Sequence, residues 1–181
     1  MSGVQQIGVN IRPWSDGDLP LLARLMGDPV MTVYNGGPET PEEIRIRHQR
    51  YCQIEHTGKG RMFVIIVGTE KIAAGSVGYW KIEWGEQLVW ETGWSVLPEF
   101  QGQGIATQAT AAVVEQARAE RKHRFIHAFP SIENAASNAI CRKVGFTLHR
   151  EVEFEDRQSP GNFLRFNDWY LDLFTNASET P

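Results

Sequence analysis

The sequence predicts an α/β (α+β) fold, in which a mixed, mostly antiparallel central sheet of about seven strands is flanked by about four helices. Three observations predict it. Three strand-like segments follow one another with only short turns between them, which favours an antiparallel meander. A glycine-rich turn at residues 101–104 then joins the third of these segments to a helical pattern. A short apolar strand follows that helix, and this order predicts a parallel pair with a right-handed crossover.

Seven segments have the composition of strands. They are residues 9–14, 61–67, 72–83, 88–97, 125–129, 146–154 and 163–173. Gly75 and Gly78 are expected to break the third segment, because glycine weakens a strand interior. The polar tail, residues 176–181, is expected to be frayed. We expect residues 1–181 to form a single domain, which is an ordinary size for one hydrophobic core.

The helices are predicted mainly from residues typical of helix ends. Residues 15–18 have the spacing of a capping box before an apolar run, and Asp-Pro at residues 28–29 is expected to start a second helical piece. Residues 40–43 combine a threonine cap, a proline and a glutamate, and predict a helix to about residue 53. A further helix is predicted from residue 104 to about residue 121. The last lies between the cap Asn134 and the stop signal Gly145, with an inner face formed by Ala136, Ile140 and Val144.

Composition excludes several classes of function. The net charge is −4, which disfavours nucleic-acid binding through a basic surface. The two cysteines, Cys52 and Cys141, form no metal-ligand pattern, so we expect no metal site. They favour a reducing, cytoplasmic setting, although a disulfide between them is open. The N-terminus lacks a signal-peptide pattern and no apolar run reaches membrane-spanning length, so no membrane partner is expected.

The glycine turn is predicted to bind a phosphate group. It lies between a strand and a helix N-terminus, where main-chain N–H groups lack partners and the helix dipole is positive. Gly102 and Gly104 carry no Cβ atoms, so an anion can approach the backbone closely. A dinucleotide fingerprint would need glycine where Thr107 stands, and a Walker loop would need a lysine that is absent.

Two motifs together identify a family resemblance. Gln101, Gly104 and Ala106 occupy the three specified positions of Gln/Arg-x-x-Gly-x-Gly/Ala, the acyl-coenzyme-A loop of the GNAT N-acetyltransferase superfamily. A second segment, from Asn134 through Ser137 to Lys-x-Gly-Phe at residues 143–146, resembles the branch that includes the ribosomal-protein N-terminal acetyltransferases. The predicted order of elements also resembles the GNAT layout. The resemblance therefore implies a GNAT-like fold with acetyl-CoA as co-substrate.

The resemblance also implies roles for individual residues. The main chain at Val96 would pair with the pantetheine arm, Asn134 would bond to the same arm, and Ser137 would lie near the thioester sulfur. Many superfamily members carry a tyrosine as general acid in the second motif, where this chain has none, and Ser137 is the substitute in the similar branch. The pyrophosphate would be held by Gln101, Gly102, Gln103, Gly104, Ile105, Ala106 and Thr107.

Acyl transfer to an amine requires a base, because an ammonium group cannot attack a thioester. Glu91 is the first candidate, since it lies on the strand that leads into the glycine turn, where the resemblance implies a glutamate in several superfamily members. His127 is interpreted as a structural histidine, and Cys141 as a small buried residue, because direct attack by the amine needs no enzyme nucleophile. The rival bases form a carboxylate run after the second motif: Glu151, Glu153, Glu155 and Asp156.

We therefore predict an N-acetyltransferase that moves an acetyl group from acetyl-CoA to a primary amine by direct attack through a tetrahedral intermediate. The acceptor is a small-molecule or peptide amine, such as a protein N-terminus, an amino acid, a polyamine or an aminoglycoside-like drug. A larger acyl group stays open, as does the oligomeric state, including a homodimer. The alternative from another class is a non-catalytic acyl-CoA-binding sensor or interaction module with the same fold.

Overall fold

The structure is a computed structural model that describes residues 8–156 and 159–175. Its strands are β1 (Val9–Pro13), β2 (Gly60–Val67), β3 (Ile72–Trp84), β4 (Gln87–Val96), β5 (Phe125–Ala128), β6 (Thr147–Glu155) and β7 (Phe163–Asp172). They form one sheet in the order β1-β2-β3-β4-β5-β7-β6. Only β4 and β5 pair in parallel. The predicted mixed, mostly antiparallel sheet is confirmed, and the tail at residues 176–181 lies outside the described residues.

Four α-helices flank the sheet within the described residues: α1 (Leu19–Met26), α2 (Pro41–Gln53), α3 (Ile105–Glu120) and α4 (Ala135–Val144). Both predicted capping boxes form. The Thr40 N–H donates to Glu43 Oε2 at 2.7 Å, and the Ser15 N–H donates to Asp18 Oδ2 at 2.8 Å. α4 ends at Gly145, which takes a φ of +99° as the stop signal predicts. No helix in residues 8–156 or 159–175 has the length and apolar character to cross a bilayer.

The helical piece predicted at residues 28–29 is wrong. Asp28 Oδ1 accepts the Val30 N–H at 2.7 Å, so the aspartate does start a turn. The chain then passes through Gly36 and Gly37, both at φ +84°, and this left-handed conformation cannot continue a right-handed helix. The segment is therefore a loop between α1 and α2.

The predicted break in β3 is also wrong, because the strand is continuous over 13 residues. A Cβ atom built on Gly75 would lie 2.1 Å from the Ser95 carbonyl oxygen. One built on Gly78 would lie 2.3 Å from the Met62 sulfur. The two glycines therefore mark positions where neighbouring strands approach too closely for a side chain, and they do not end the strand.

The sheet has a different partner on each face. One core packs β2–β5 and β7 against α3 and α4, and it includes the fully buried Tyr79 and Trp90, whose rings meet edge to face at 4.9 Å. The other packs the sheet against α1 and α2 around Leu22 and Leu25. Successive side chains of a strand point to opposite faces. Trp90 therefore lies on the α3–α4 face, and its neighbour Glu91 lies on the α1–α2 face.

Candidate active site

A cleft opens where β4 and β5 separate. The two strands pair at only two positions, Trp90 with Ile126 and Glu91 with His127. Beyond them lies a cavity of about 890 Å³. The glycine turn and the start of α4 line it, together with the α1–α2 loop and the β6–β7 hairpin. Since these walls belong to opposite faces of the sheet, the cleft can hold two reactants that approach from opposite sides.

The glycine turn has the geometry of an anion site. Gly102 and Gly104 take φ values of +73° and +75°, and α3 begins after Gly104 without a side-chain cap. The first helical hydrogen bond runs from the Gln108 N–H to the Gly104 carbonyl at 3.1 Å. The N–H groups of the three residues before Gln108 therefore have no partner within the helix. A Cβ built on Gly102 meets no atom within 4 Å. This open, donor-rich surface suits the diphosphate of a nucleotide cofactor such as coenzyme A.

The two glutamines of the turn bond to the protein itself. Gln101 Nε2 donates to the Val96 carbonyl at 2.8 Å, and Gln103 Nε2 donates to the Glu99 carbonyl at 3.1 Å. Both bonds fasten the turn to the chain that precedes it. The main-chain N–H groups at the start of α3 are therefore the donors that stay open for a ligand.

One edge of β4 faces the cleft. The Leu97 N–H bonds to the Ala74 carbonyl at 2.8 Å, and the main-chain groups of alternate residues along an antiparallel strand point to alternate sides. The main-chain groups of Thr92, Trp94 and Val96 therefore point away from β3 and towards the cleft. Because Gln101 already occupies the Val96 carbonyl, the Val96 N–H and the Trp94 main chain remain for an extended ligand that pairs as an additional strand.

The start of α4 lines the same cleft. Asn134 Oδ1 accepts the Ser137 N–H at 3.0 Å as the helix cap, and the Asn134 amide NH₂ has no acceptor in the part of the chain that the structure describes. The Ser137 hydroxyl is half-buried in the cleft wall and has no hydrogen-bond partner within the described residues. The predicted inner face of α4 is only partly right: Val144 packs against the core, whereas Ala136 and Ile140 line the cleft. The buried residues of the helix are Asn138 and Cys141.

Both cysteines are free thiols, so the disulfide alternative is wrong. Cys141 is fully buried, and burial raises the pKa of its thiol to about 12. At neutral pH it is therefore protonated and unreactive. This agrees with the interpretation of Cys141 as a packing residue.

Glu91 lies at the cleft floor, next to the point where β4 leaves β5. Trp80 is its register partner on β3, and the Trp80 indole N–H donates to Glu91 Oε2 at 2.8 Å. Burial raises the pKa of the Glu91 carboxyl above its ordinary value, and the Trp80 bond and the nearby His127 only partly oppose this. A carboxylate with a raised pKa is a stronger base than an exposed one, which is what proton removal from an amine requires.

The rival carboxylates occupy less suitable positions. Glu151 pairs with Arg165 at 3.3 Å, and both Glu151 and Glu153 are exposed outside the cleft. Glu155 and Asp156 line the cleft from the β6–β7 hairpin, where Glu155 accepts the Gly161 N–H at 2.8 Å. Of the five candidates, Glu91 is therefore the half-buried one on the cleft floor, whereas those on the hairpin line its wall.

The cleft wall contains an ion pair that has no local signal in the sequence. Arg47 of α2 lies beside Glu39, with Arg47 Nε 2.9 Å from Glu39 Oε2, and its Nη1 donates to the Tyr51 hydroxyl at 3.3 Å. Both charges are largely buried. Because each neutralises the other, the pair shapes the side of the cleft nearest α1 and α2 without giving it net charge.

One group of potential metal ligands exists among the described residues. Asp16, His48 and Cys52 place ligand atoms within 4.8 Å of one another. The Trp14 indole N–H donates to His48 Nδ1 at 3.1 Å, so the other ring nitrogen of neutral His48 carries the proton, and it lies 3.7 Å from Cys52 Sγ. A protonated nitrogen cannot bind a metal, and burial together with Asp16 raises the pKa of the Cys52 thiol to about 11. The group is better explained as a hydrogen-bonded packing cluster.

Comparison with known proteins identifies the family. The acetyltransferase (GNAT) domain matches residues 9–147, well over half of the chain. The chain belongs to the GNAT acetyltransferase family. This GNAT protein is an acetyl-CoA-dependent N-acetyltransferase, as its family and its curated relatives show, and the predicted co-substrate is confirmed.

Individual relatives of this GNAT protein act on different amines. The L-methionine sulfoximine/L-methionine sulfone acetyltransferase of Pseudomonas aeruginosa is 26% identical over 167 residues, which are 92% of each chain. Spermidine N-acetyltransferase from Vibrio cholerae, solved with CoA and spermine, has a TM-score of 0.75 at 19% identity over 91% of this chain and 95% of that one.

A third GNAT relative belongs to the branch that the sequence motifs resemble. It is the Salmonella typhimurium enzyme that modifies the N-terminal serine of ribosomal protein L7/L12. It has a TM-score of 0.69 at 21% identity, over 91% of this chain and 94% of that one. At these identities the solved structures show a shared fold.

Proposed function

We propose that this acetyltransferase acetylates a small primary amine, and that Glu91 is the base that makes the amine nucleophilic. The observation that carries the proposal is the position of Glu91: a half-buried carboxylate on the cleft floor, beside the free edge of β4. The other carboxylates of the cleft wall lie elsewhere, because Glu39 is paired with Arg47 and the remaining two belong to the β6–β7 hairpin.

The acetyl donor would bind along the α3–α4 side of the cleft. The N–H groups of Ile105, Ala106 and Thr107 would hold its diphosphate, with Gly102 and Gly104 leaving room for it. The Val96 N–H and the amide of Asn134 would bond its pantetheine arm. Bound in this way, acetyl-CoA supplies an activated acetyl carbonyl at the point where β4 and β5 separate.

The amine would enter from the α1–α2 side. A lysine-like ammonium has a pKa of about 10.4, so it is almost entirely protonated at neutral pH. Glu91 takes a proton from it, and the neutral amine then attacks the acetyl carbonyl. The apolar wall formed by Trp80, Phe129 and Phe154 excludes water and disfavours the ammonium form. N–H groups on the free edge of β4 stabilise the negative charge that develops on the carbonyl oxygen.

Ser137 would complete the proton balance. Its hydroxyl lines the cleft and is not used to bond its own helix, which leaves it able to donate to the departing thiolate. A thiol has an ordinary pKa of about 8.5, so its anion leaves faster with a proton donor beside it. The serine regains a proton from solvent after the thiol has formed.

Replacing Ser137 with alanine is expected to slow kcat by about tenfold while KM for acetyl-CoA changes less than twofold. The reason is that the hydroxyl would act mainly in the transition state. Steady-state kinetics of Ser137→Ala, with Ser137→Thr as the variant that keeps a hydroxyl, tests this. Equal kcat values for wild type and Ser137→Ala would remove the proton role.

The pH dependence should report the Glu91 carboxyl. Because the base must be ionised, kcat/KM should rise with pH through the raised Glu91 pKa, so its acid limb lies above the range of an exposed glutamate. Trp80→Phe removes the N–H that stabilises the carboxylate, so the limb should move to higher pH. An unmoved limb in Trp80→Phe would show that another group controls it. The control is Glu86→Gln, an exposed substitution that should leave the acid limb in place.

The first acceptor to test is L-methionine sulfone. The Pseudomonas relative that acts on it matches this chain over 92% of both lengths. A panel would add spermidine and a peptide with an N-terminal serine, the acceptor types of the structural neighbours. Thiol release from acetyl-CoA, with the acetylated product confirmed by mass spectrometry, is the measurement. Acetyl-CoA binding without turnover on any amine would contradict the proposal and favour a non-catalytic binder.

A further inference from the structure

A buried histidine–aspartate pair lies behind Glu91. The His127 Nδ1 atom of β5 is 2.7 Å from Asp168 Oδ1 of β7. Asp168 is completely buried, and its other oxygen accepts the Trp84 indole N–H at 3.0 Å. His127 is 8% exposed and is not part of the cleft lining. The pair therefore cannot touch either reactant, yet it is built with the hydrogen bonds of a functional site.

The pair determines which nitrogen of His127 can act as a base. Hydrogen bonds hold the pKa of Asp168 below its ordinary value, so the carboxylate is ionised and can only accept. In neutral His127 the proton must therefore lie on Nδ1, and Nε2 keeps its lone pair. A second proton on Nε2 would make His127 an imidazolium paired with the Asp168 carboxylate.

His127 is also placed next to Glu91. The two residues are register partners on adjacent strands, and neighbouring strands lie about 4.8 Å apart. Both side chains lie on the α1–α2 face. Two tryptophans of β3 bond to this group of residues: Trp80 donates to Glu91, and Trp84 donates to Asp168, the partner of His127. Glu91 accepts its hydrogen bond from Trp80, and none joins it directly to His127 among the described residues, so a bridging water would connect the two side chains.

The charged groups around His127 come from every neighbouring strand. β4 contributes Glu91, and β7 contributes Asp168 and the ring of Tyr170, 6.1 Å from the His127 ring. From β6, Arg150 Nε lies 4.0 Å from Asp168 Oδ2, with a side chain that is 58% exposed. His149 of the same strand also contributes to lowering the pKa of Asp168. The pair thus lies between the cleft floor and a solvated edge of the sheet.

We propose that His127, oriented by Asp168, is the positioning residue that receives the proton from Glu91 and so restores the base for the next turnover. The inference rests on the proposed role of Glu91. The Glu91 carboxylate takes a proton from the ammonium group and becomes a carboxylic acid. That proton moves to His127 Nε2, the Nδ1 proton stays bonded to Asp168, and the imidazolium finally releases one proton to solvent. No covalent bond to the enzyme forms, and no redox partner is needed.

The relay solves a problem created by burial. The half-buried Glu91 carboxyl, with its raised pKa, would release its proton slowly when both reactants fill the cleft and exclude water. A second base on the side away from the reactants gives the proton another exit. His127 suits this purpose because an imidazole can take up a proton on one ring nitrogen while the other stays bonded to Asp168.

The test uses His127→Gln, which can still donate a hydrogen bond to Asp168 but cannot take up a proton. The best amine of the panel is used at saturation. kcat should fall by about 10- to 100-fold, the range typical of a residue that supports a catalytic group from behind. KM for acetyl-CoA should be unchanged. His127→Ala should regain activity in proportion to added imidazole, which a structural role would not produce. The matched control is His56→Gln, an exposed histidine outside the cleft.

The possible results separate the two proposals. Full kcat in folded His127→Gln, or no imidazole rescue of His127→Ala, would overturn the relay. If Glu91→Gln is inactive at the same time, the base assignment stands. If Glu91→Gln also keeps full activity, the proposed function fails together with the relay. Should His127→Gln not fold, Asp168→Asn gives the same test, because it removes the anion that fixes the Nδ1 proton, and Asp172→Asn on the same strand is its control.

Discussion

Replacing Glu91 with glutamine is expected to lower kcat by about 100- to 1,000-fold, the contribution typical of a general base. Glutamine has the same shape and keeps a carbonyl oxygen for the Trp80 indole N–H, so the floor of the cleft stays intact. The affinity for acetyl-CoA should not change, because Glu91 lies on the opposite face of the sheet from α3. Steady-state kinetics at saturating amine, together with coenzyme-A binding by calorimetry, would measure both.

The control for this substitution is Glu153→Gln. Glu153 is an exposed carboxylate of the rival run and lies outside the cleft, so its loss should leave kcat within about twofold. In Glu91→Gln the titrating carboxyl is gone, so raising the pH should not restore the wild-type rate. The acid limb of kcat/KM that belongs to Glu91 should be absent. A wild-type kcat in Glu91→Gln would move the base to Glu155 or Asp156, the two hairpin carboxylates that do line the cleft.

Replacing Gly104 with glutamate is expected to abolish detectable coenzyme-A binding. The new carboxylate would stand at the start of α3, about 5 Å from a bound diphosphate. At an effective dielectric constant near 20, two like charges at that distance repel by about 3 kcal/mol, or roughly 100-fold in affinity. The diphosphate carries more than one charge, which increases the repulsion, whereas salt screening at this exposed turn reduces it. Calorimetric titration with coenzyme A gives the measurement.

The matched control is Gly104→Gln. Both side chains suffer the same strain at φ +75°, and both have the same volume, so only the charge differs between them. A Cβ at this position meets only Gln108 Nε2, at 4.0 Å, so both variants should fold. Equal affinity of Gly104→Glu and Gly104→Gln for coenzyme A would place the diphosphate away from this turn.

The fold could be predicted largely from local patterns. Caps at Thr40 and Asn134 and the stop at Gly145 fixed helix ends to within a residue, because these signals act on the adjacent backbone alone. The wrong predictions concern positions where residues far away in the sequence determine the local structure. Gly75 and Gly78 resemble strand breakers in sequence, but they stay in β3 because neighbouring strands occupy the space of their missing side chains.

The candidate site was predictable in part. The glycine turn was found because its chemistry lies within seven consecutive residues, and Glu91 because it precedes that turn on the same strand. Its contact with Trp80 could also have been derived. β3 ends at Trp84 and β4 starts at Gln87, so a two-residue turn sets the register that pairs Trp80 with Glu91.

The sequence by itself determined the family, the acetyl donor and the turn proposed to bind it, because each depends on residues that are close together in the chain. Only the tertiary structure showed that His127 and Asp168, 41 residues apart, form one buried pair beside Glu91. The physical reason is the strand order: β7 inserts between β5 and β6, and no local propensity encodes which strand will become a neighbour.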